Sequence, residues 1–90
     1  MPADHGMIFV FSEPQRRAFW MKNTRIPLDI IYVREDGRVD SVKPMKPYLE
    51  TQTWSEGAIK WAIELNQGAA AGVKAGDMLT IPDAARTPKE

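Results

Sequence analysis

Hydrophobic and polar positions along this chain alternate in short runs rather than in long helical stripes. Ile59, Trp61, Ile63 and Leu65 face one way and Lys60, Ala62 and Glu64 the other. A period of two over these residues predicts a half-buried strand. A helix is the competitor, because Ile59, Ala62 and Ile63 also fit a helical stripe, but the alternation favours the strand. Met7-Ile8-Phe9-Val10-Phe11 is a continuous apolar run, β-branched and aromatic. It predicts a buried strand that needs cover on both faces, as a barrel or sandwich supplies. Pro14 has no N–H to donate and is expected to stop it. Asp29 to Arg34 and Val39 to Lys43 flank Asp36-Gly37, which predicts a β-hairpin with a type I′ turn, positive φ being needed at both central residues. In the return strand Val39 and Lys43 are expected on one face and Asp40 and Val42 on the other. Met78-Leu79-Thr80-Ile81, closed by Pro82, predicts a final strand.

The segments between these runs carry breakers. Pro44 and Pro47 exclude a helix interior or a central strand and predict an extended surface loop to about Ser55. Asn66 as a cap, three alanines and Gly72 as a stop predict one short helix near residues 67–72. Gly76 is expected at positive φ, with Asp77 bonding nearby amides. Residues 1–6 read as a loop, and the polar residues 83–90 are expected to fray. The expected fold is mostly β (α+β): a small barrel-like β domain, one domain over residues 1–90 with its core at about 6–82.

Composition narrows the chemistry. Ninety residues with 43% hydrophobic and 27% charged positions make one ordinary globular domain with a thin core. The absence of cysteine excludes a disulfide framework, a thiolate zinc site and a cysteine nucleophile. No apolar run approaches the roughly 20 residues of a membrane-spanning helix, and the N-terminus lacks the charged-then-apolar layout of a signal peptide. Twelve basic and twelve acidic residues balance to zero, which argues against nucleic-acid binding through the whole surface. His5 has no second histidine with which to build a metal site, and the five methionines lack Met-x-x-Met clustering and read as core filler. No metal, cofactor or catalytic residue is assigned: Thr51, Thr53 and Ser55 have no neighbouring base.

The chemistry concentrates in Phe19 to Asp29. Trp20, Lys22 and Asn23 can face a cleft, with Arg17 or Lys22 meeting a carboxylate or phosphate and Asn23 donating hydrogen bonds. Asp29 joins them as a carboxylate that holds Lys22 or Arg25. Trp54 closes over the same cleft or covers the core. The bland alternative is a connection that packs Trp20 and Met21 under a small sheet, with solvated cations. On the sharper reading the protein is a non-enzymatic domain that binds a small polar, anionic or carbohydrate-like ligand or an envelope partner. DNA binding through Arg16, Arg17, Lys22 and Arg25 is the second reading, and a hydrolase using Asp29 or Glu64 as base is the third, which requires two convergent carboxylates.

Gly6 to Phe11, the block Phe19-Trp20-Met21-Lys22-Asn23-Thr24-Arg25-Ile26-Pro27-Leu28-Asp29, Asp36-Gly37, Glu64 to Gly68 and Gly76-Asp77 together resemble the bacterial and archaeal family called domain of unknown function 192, over roughly residues 6 to 82. The resemblance implies a compact, mostly β domain with no established activity or agreed catalytic residues, and an extracytoplasmic location. Family members carry an upstream strand and an Arg-Gly-Leu-Met-type segment before the Gly6–Phe11 strand, whereas this chain starts almost at that strand. Loss of a strand would expose an edge or a core face, which predicts a homodimer or an unstable monomer. Val73 to Leu79 also resembles the Gly-Asp turn of cradle-loop and double-psi barrels, some of whose relatives bind DNA.

Overall fold

The computed structural model describes residues 6–21, 24–48 and 50–81. Over these residues the chain forms six strands: β1 (Gly6–Gln15), β2 (Ala18–Phe19), β3 (Leu28–Val33), β4 (Val39–Met45), β5 (Thr53–Trp54) and β6 (Ile59–Asn66). Four of them make an antiparallel sheet in the order β1-β6-β3-β4, and β2 and β5 make a separate two-stranded ribbon. The apolar strand β3 lies inside the sheet, as its β-branched and aromatic residues demand, and Ile30, Tyr32 and Val33 are wholly buried.

Both faces of the sheet are covered, by different means. On one face Leu28, Ile30, Tyr32, Met45, Ile59 and Ala62 pack under Met21, with Phe9, Phe11 and Phe19 against them. The Phe9 and Phe19 rings lie 4.9 Å apart, and Phe19 also meets Tyr32. The ribbon thus caps this face. On the other face Ile31, Val33, Val39 and Trp61 pack against Ala70 and Ile81, joined by Val10, Val42, Ile63, Leu65, Val73 and Leu79. This cover is the segment 67–81, which is largely without strand or helix.

Several expectations are corrected. Among the described residues the sheet is open: β1 and β4 lie at its two ends and do not pair, so these strands do not form a closed barrel. The helix at 67–72 is absent and the segment is a run of turns. The N–H groups of Ala69, Ala71 and Val73 donate to the carbonyls of Asn66, Gly68 and Ala70, each three residues back, and Gly68 at φ +92° takes a conformation no α-helix contains. The last strand is reduced to a single bridge between Arg38 and Met78. The hairpin is present, but its turn is not type I′. Only Gly37, at φ +89°, is left-handed, and the Gly37 N–H donates to Arg34 O while the Arg34 N–H donates to Arg38 O. That is a three-residue loop with a glycine bulge, in which Asp36 accepts the Arg38 N–H at 2.9 Å.

Two irregularities explain the remaining differences. Tyr32 pairs with Ser41 and Val33 with Val39, leaving Asp40 as an extra residue in β4. This bulge puts Val39 and Val42 into the same cluster rather than on opposite faces. In β1 the pairing with β6 breaks after Val10 and resumes at Gln15. Pro14 therefore sits in an unpaired stretch inside the strand and does not end it. Pro44 is tolerated at Asp29 because β4 is an edge strand. Residues 1–5 and 82–90, including the His5 loop and the expected frayed tail, lie outside the described residues.

Candidate functional site

The β2–β5 ribbon has an inner and an outer face, set by the pleat. Phe19 and Thr53 pair and face the core. Ala18 pairs with Trp54 on the outer face, and Arg16 and Trp20 flank Ala18 at the same period of two. Trp20 is 52% exposed and Trp54 41%. The Arg16 guanidinium lies 4.8 Å from the Trp54 ring centre, and its Nε donates to Ser55 O at 3.2 Å. The result is a surface of two indoles and a stacked cation around a small residue.

The ribbon is held rigidly from beneath. The Tyr32 hydroxyl donates to Thr53 O, and Lys43 Nζ donates to Trp54 O at 2.6 Å and to the Glu56 carboxylate. Burial pushes the Tyr32 phenol far above its ordinary value, with Glu64 and Asp40 adding to the rise, so it stays a donor at any physiological pH. The buried Ser55 hydroxyl accepts the Arg17 N–H at 3.1 Å and donates to Gly57 O at 2.8 Å. Asp40 is the hub of this anchorage. Its carboxylate accepts from the Glu56 N–H at 2.8 Å, the Gly57 N–H at 2.9 Å, Arg34 Nε at 3.0 Å and Ser41 Oγ at 3.0 Å. Burial alone would raise its pKa, but these four donors outweigh it and hold the carboxyl below the usual aspartate range.

The residues singled out from the sequence disperse. Trp20 lies on the outer face of the ribbon. Arg17 lies on the inner side, its guanidinium 4.1 Å from the Phe11 ring centre and one terminal nitrogen donating to Glu13 O at 3.3 Å. Asp29 faces the other side of the sheet: it alternates with Leu28 and Ile30, and its carboxylate accepts the Gly68 N–H at 2.9 Å rather than meeting Arg25. Lys22 and Asn23 lie outside the described residues. Glu64 pairs with Ile30 and Asp29 with Leu65, so the two carboxylates considered for a hydrolase point to opposite faces and do not converge. Glu64 is half-buried, and desolvation raises its pKa.

Sequence reading missed Asp40, Ser55 and the pairing of Arg16 with Trp54. The signal for the first two was the Ser55-Glu56-Gly57 turn, which needs a partner for its amides. Two-residue strands leave no periodicity to find. Elsewhere, a shallow groove of about 420 Å³ opens beside the hairpin, lined by Pro14, Arg34, Glu35, Asp36 and Ala58. Among the described residues no cluster of His, Asp or Glu could hold a metal ion, and no helix is long and apolar enough to cross a membrane.

The fold has solved counterparts. A protein of unknown function from Novosphingobium aromaticivorans DSM 12444 is 40% identical with a TM-score of 0.82, covering 90% of this chain and 60% of its own. A protein from Sinorhizobium meliloti 1021, named a "putative transcription regulator", is 36% identical with a TM-score of 0.80, covering 89% of this chain and 64% of its own. The chain thus spans less than two thirds of the length of either. No curated protein matches it. The model of the family DUF192, described as an uncharacterised ACR, matches residues 1–81, and the chain belongs to that family of unknown function.

Proposed function

We propose that the domain is a non-enzymatic binding module whose ligand lies on the outer face of the β2–β5 ribbon. The observation that carries this reading is the exposed pair Trp20 and Trp54 around Ala18, with Arg16 stacked on Trp54. Indole faces take the C–H faces of a sugar ring or a planar group. A guanidinium already oriented by stacking and by Ser55 meets a carboxylate or phosphate at low entropic cost. The ligand class is therefore small, polar and carbohydrate-like, with an anionic group. Arg17 and Asp29 serve the framework in this reading, through Phe11 and Gly68. An extracytoplasmic site with an envelope glycan or protein as natural partner belongs to the same proposal and is supported by the family resemblance.

The test is titration of tryptophan fluorescence with acidic oligosaccharides, beside neutral oligosaccharides and a short DNA duplex. Quenching by an acidic oligosaccharide, weakened at least about tenfold in Trp20→Ala, Trp54→Ala and Arg16→Ala with far-UV circular dichroism unchanged, is the expected result; tenfold corresponds to about 1.4 kcal/mol. Equal affinity in all three variants, or no response to any sugar, overturns it. The DNA reading draws on the name of the S. meliloti relative. It predicts duplex binding with a steep salt dependence, which the zero net charge opposes.

A further inference from the structure

Tyr48 stands where turn chemistry asks for a glycine. Pro47 and Tyr48 form the turn that follows β4. Proline suits the first central place of a turn, and a second place at positive φ ordinarily takes glycine or asparagine. Here it holds a tyrosine at φ +58°, which among the described residues is the one non-glycine with positive φ. The core does not require this side chain, since Tyr48 is 56% exposed. A bulky residue kept in left-handed backbone at the surface is sterically costly, and such outliers gather at ligand contacts. The turn is also tied to the segment that carries Trp20. The Tyr48 N–H donates to Thr24 O at 3.1 Å, and the Thr24 N–H donates to Met21 O at 3.1 Å. Through these two bonds the Cα atoms of Trp20 and Tyr48 lie no more than about 18 Å apart. Arg25 and Lys46, both exposed, flank the tether, and neither residues 16–28 nor residues 41–49 include an acid.

We propose that Tyr48 is a further contact for the ligand of the ribbon, and that the ligand is a linear acidic oligosaccharide rather than a single sugar. This rests on the binding reading of the ribbon and extends it along the chain. The phenol ring offers another aromatic platform beyond Trp20 for a sugar face, and its hydroxyl can bond to a sugar hydroxyl. Arg25 and Lys46 continue the cationic lining that begins at Arg16. Asp29, the first carboxylate after this stretch, is turned to the Gly68 N–H and does not oppose an anion there. A ligand whose acidic groups repeat along its length meets cations at both ends of the surface, which a monosaccharide cannot do.

Calorimetric titration with oligogalacturonates of two and six sugars, beside thermal melts, tests it. The six-sugar oligomer should bind the wild type more tightly than the two-sugar one. Tyr48→Gly relieves the left-handed backbone and should melt no lower than wild type. The same variant should weaken the six-sugar oligomer at least about fivefold and leave the two-sugar affinity unchanged. Tyr48→Asn, the other residue that such a turn accepts, should behave alike. A lower melting temperature in both variants overturns the proposal, because Tyr48 then serves the fold. Six-sugar binding that is lost in Trp54→Ala but unchanged in Tyr48→Gly overturns this extension and leaves the ribbon reading in place. No binding of either oligomer to the wild type overturns both.

Discussion

The two edges of the sheet are built by opposite rules. β4 is closed by chemistry along its length. The Val39 N–H donates to Asp77 O at 2.7 Å, the Gly76 N–H donates to Val39 O at 2.9 Å, and the Leu79 N–H donates to Gly37 O at 2.9 Å. A bulge at Asp40, Lys43 tied to Trp54 O, and Pro44 complete the guard. Over Gly6 to Val10, β1 has none of these devices. An edge strand is a template for another chain unless something blocks it. Here the blocked edge carries the anchorage of the ribbon, and the other has no partner strand among the described residues.

The largest way to break the comparison is Asp40→Ala. It strips the carboxylate from four donors at the guarded edge, of which the Ser41 hydroxyl is buried, the two backbone N–H groups are part-buried and Arg34 is half-exposed; a buried donor left unsatisfied costs about 1–3 kcal/mol and an exposed one less. With partial relaxation the expected loss is about 3–4 kcal/mol, read as a lower urea midpoint at unchanged slope. The pH dependence follows from the lowered pKa of Asp40. Its stabilisation is present above the ordinary aspartate range and is lost as pH falls through the folded-state value. The gap between wild type and Asp40→Ala should therefore narrow in acid; a constant gap from pH 7 to pH 3 would contradict the assignment.

Gly37→Ala is next. Its φ is +89°, and an added Cβ would sit 2.9 Å from Leu79 O, where the covering segment docks on the hairpin. Left-handed backbone costs a non-glycine about 1 kcal/mol; with the clash, the expected loss is about 2 kcal/mol. Gly76→Ala is the matched control, at φ +93° with nothing within 4 Å of its Cβ, and should lose only about 1 kcal/mol. Thermal melts of the pair separate strain from docking: equal losses would mean that the Leu79 contact is immaterial.

The smallest effect lies beside the open edge. Glu64 pairs with Met7 of β1 and Ile30 of β3, and its pKa is raised by desolvation. A carboxyl with a raised folded-state pKa favours the fold when protonated, an advantage complete below the unfolded value and lost as pH rises through the folded one. Glu64→Gln should thus stabilise the protein at pH 7 by about 0.5 kcal/mol and have no such effect in acid. A destabilised variant at pH 7 would place a partner on the ionised carboxylate.

Strands and hairpin were legible because their signals are local. Alternation through Trp61, Ile63 and Leu65, the apolar run at Met7, and Asp36-Gly37 each act through the pleat or the turn itself. The turns at 67–72 were misread because three alanines favour a helix on average, while Gly68 is drawn to φ +92° where Asp29 accepts its N–H. That contact spans thirty-nine residues, and no local pattern records it. Trp20 was visible as a candidate from its type, but its outward direction depends on the ribbon register with Trp54.

By itself, then, the sequence determined the four strands of the main sheet, the hairpin, the family and the lack of cysteine chemistry, since each rests on residue type or near-neighbour spacing. Only the tertiary structure decided that the sheet of described residues stays open, that Asp40 rather than Asp29 is the central carboxylate, and that Arg16 stacks on Trp54. These depend on which distant segments meet, and a bulge of one residue at Asp40 is enough to change which faces β4 presents.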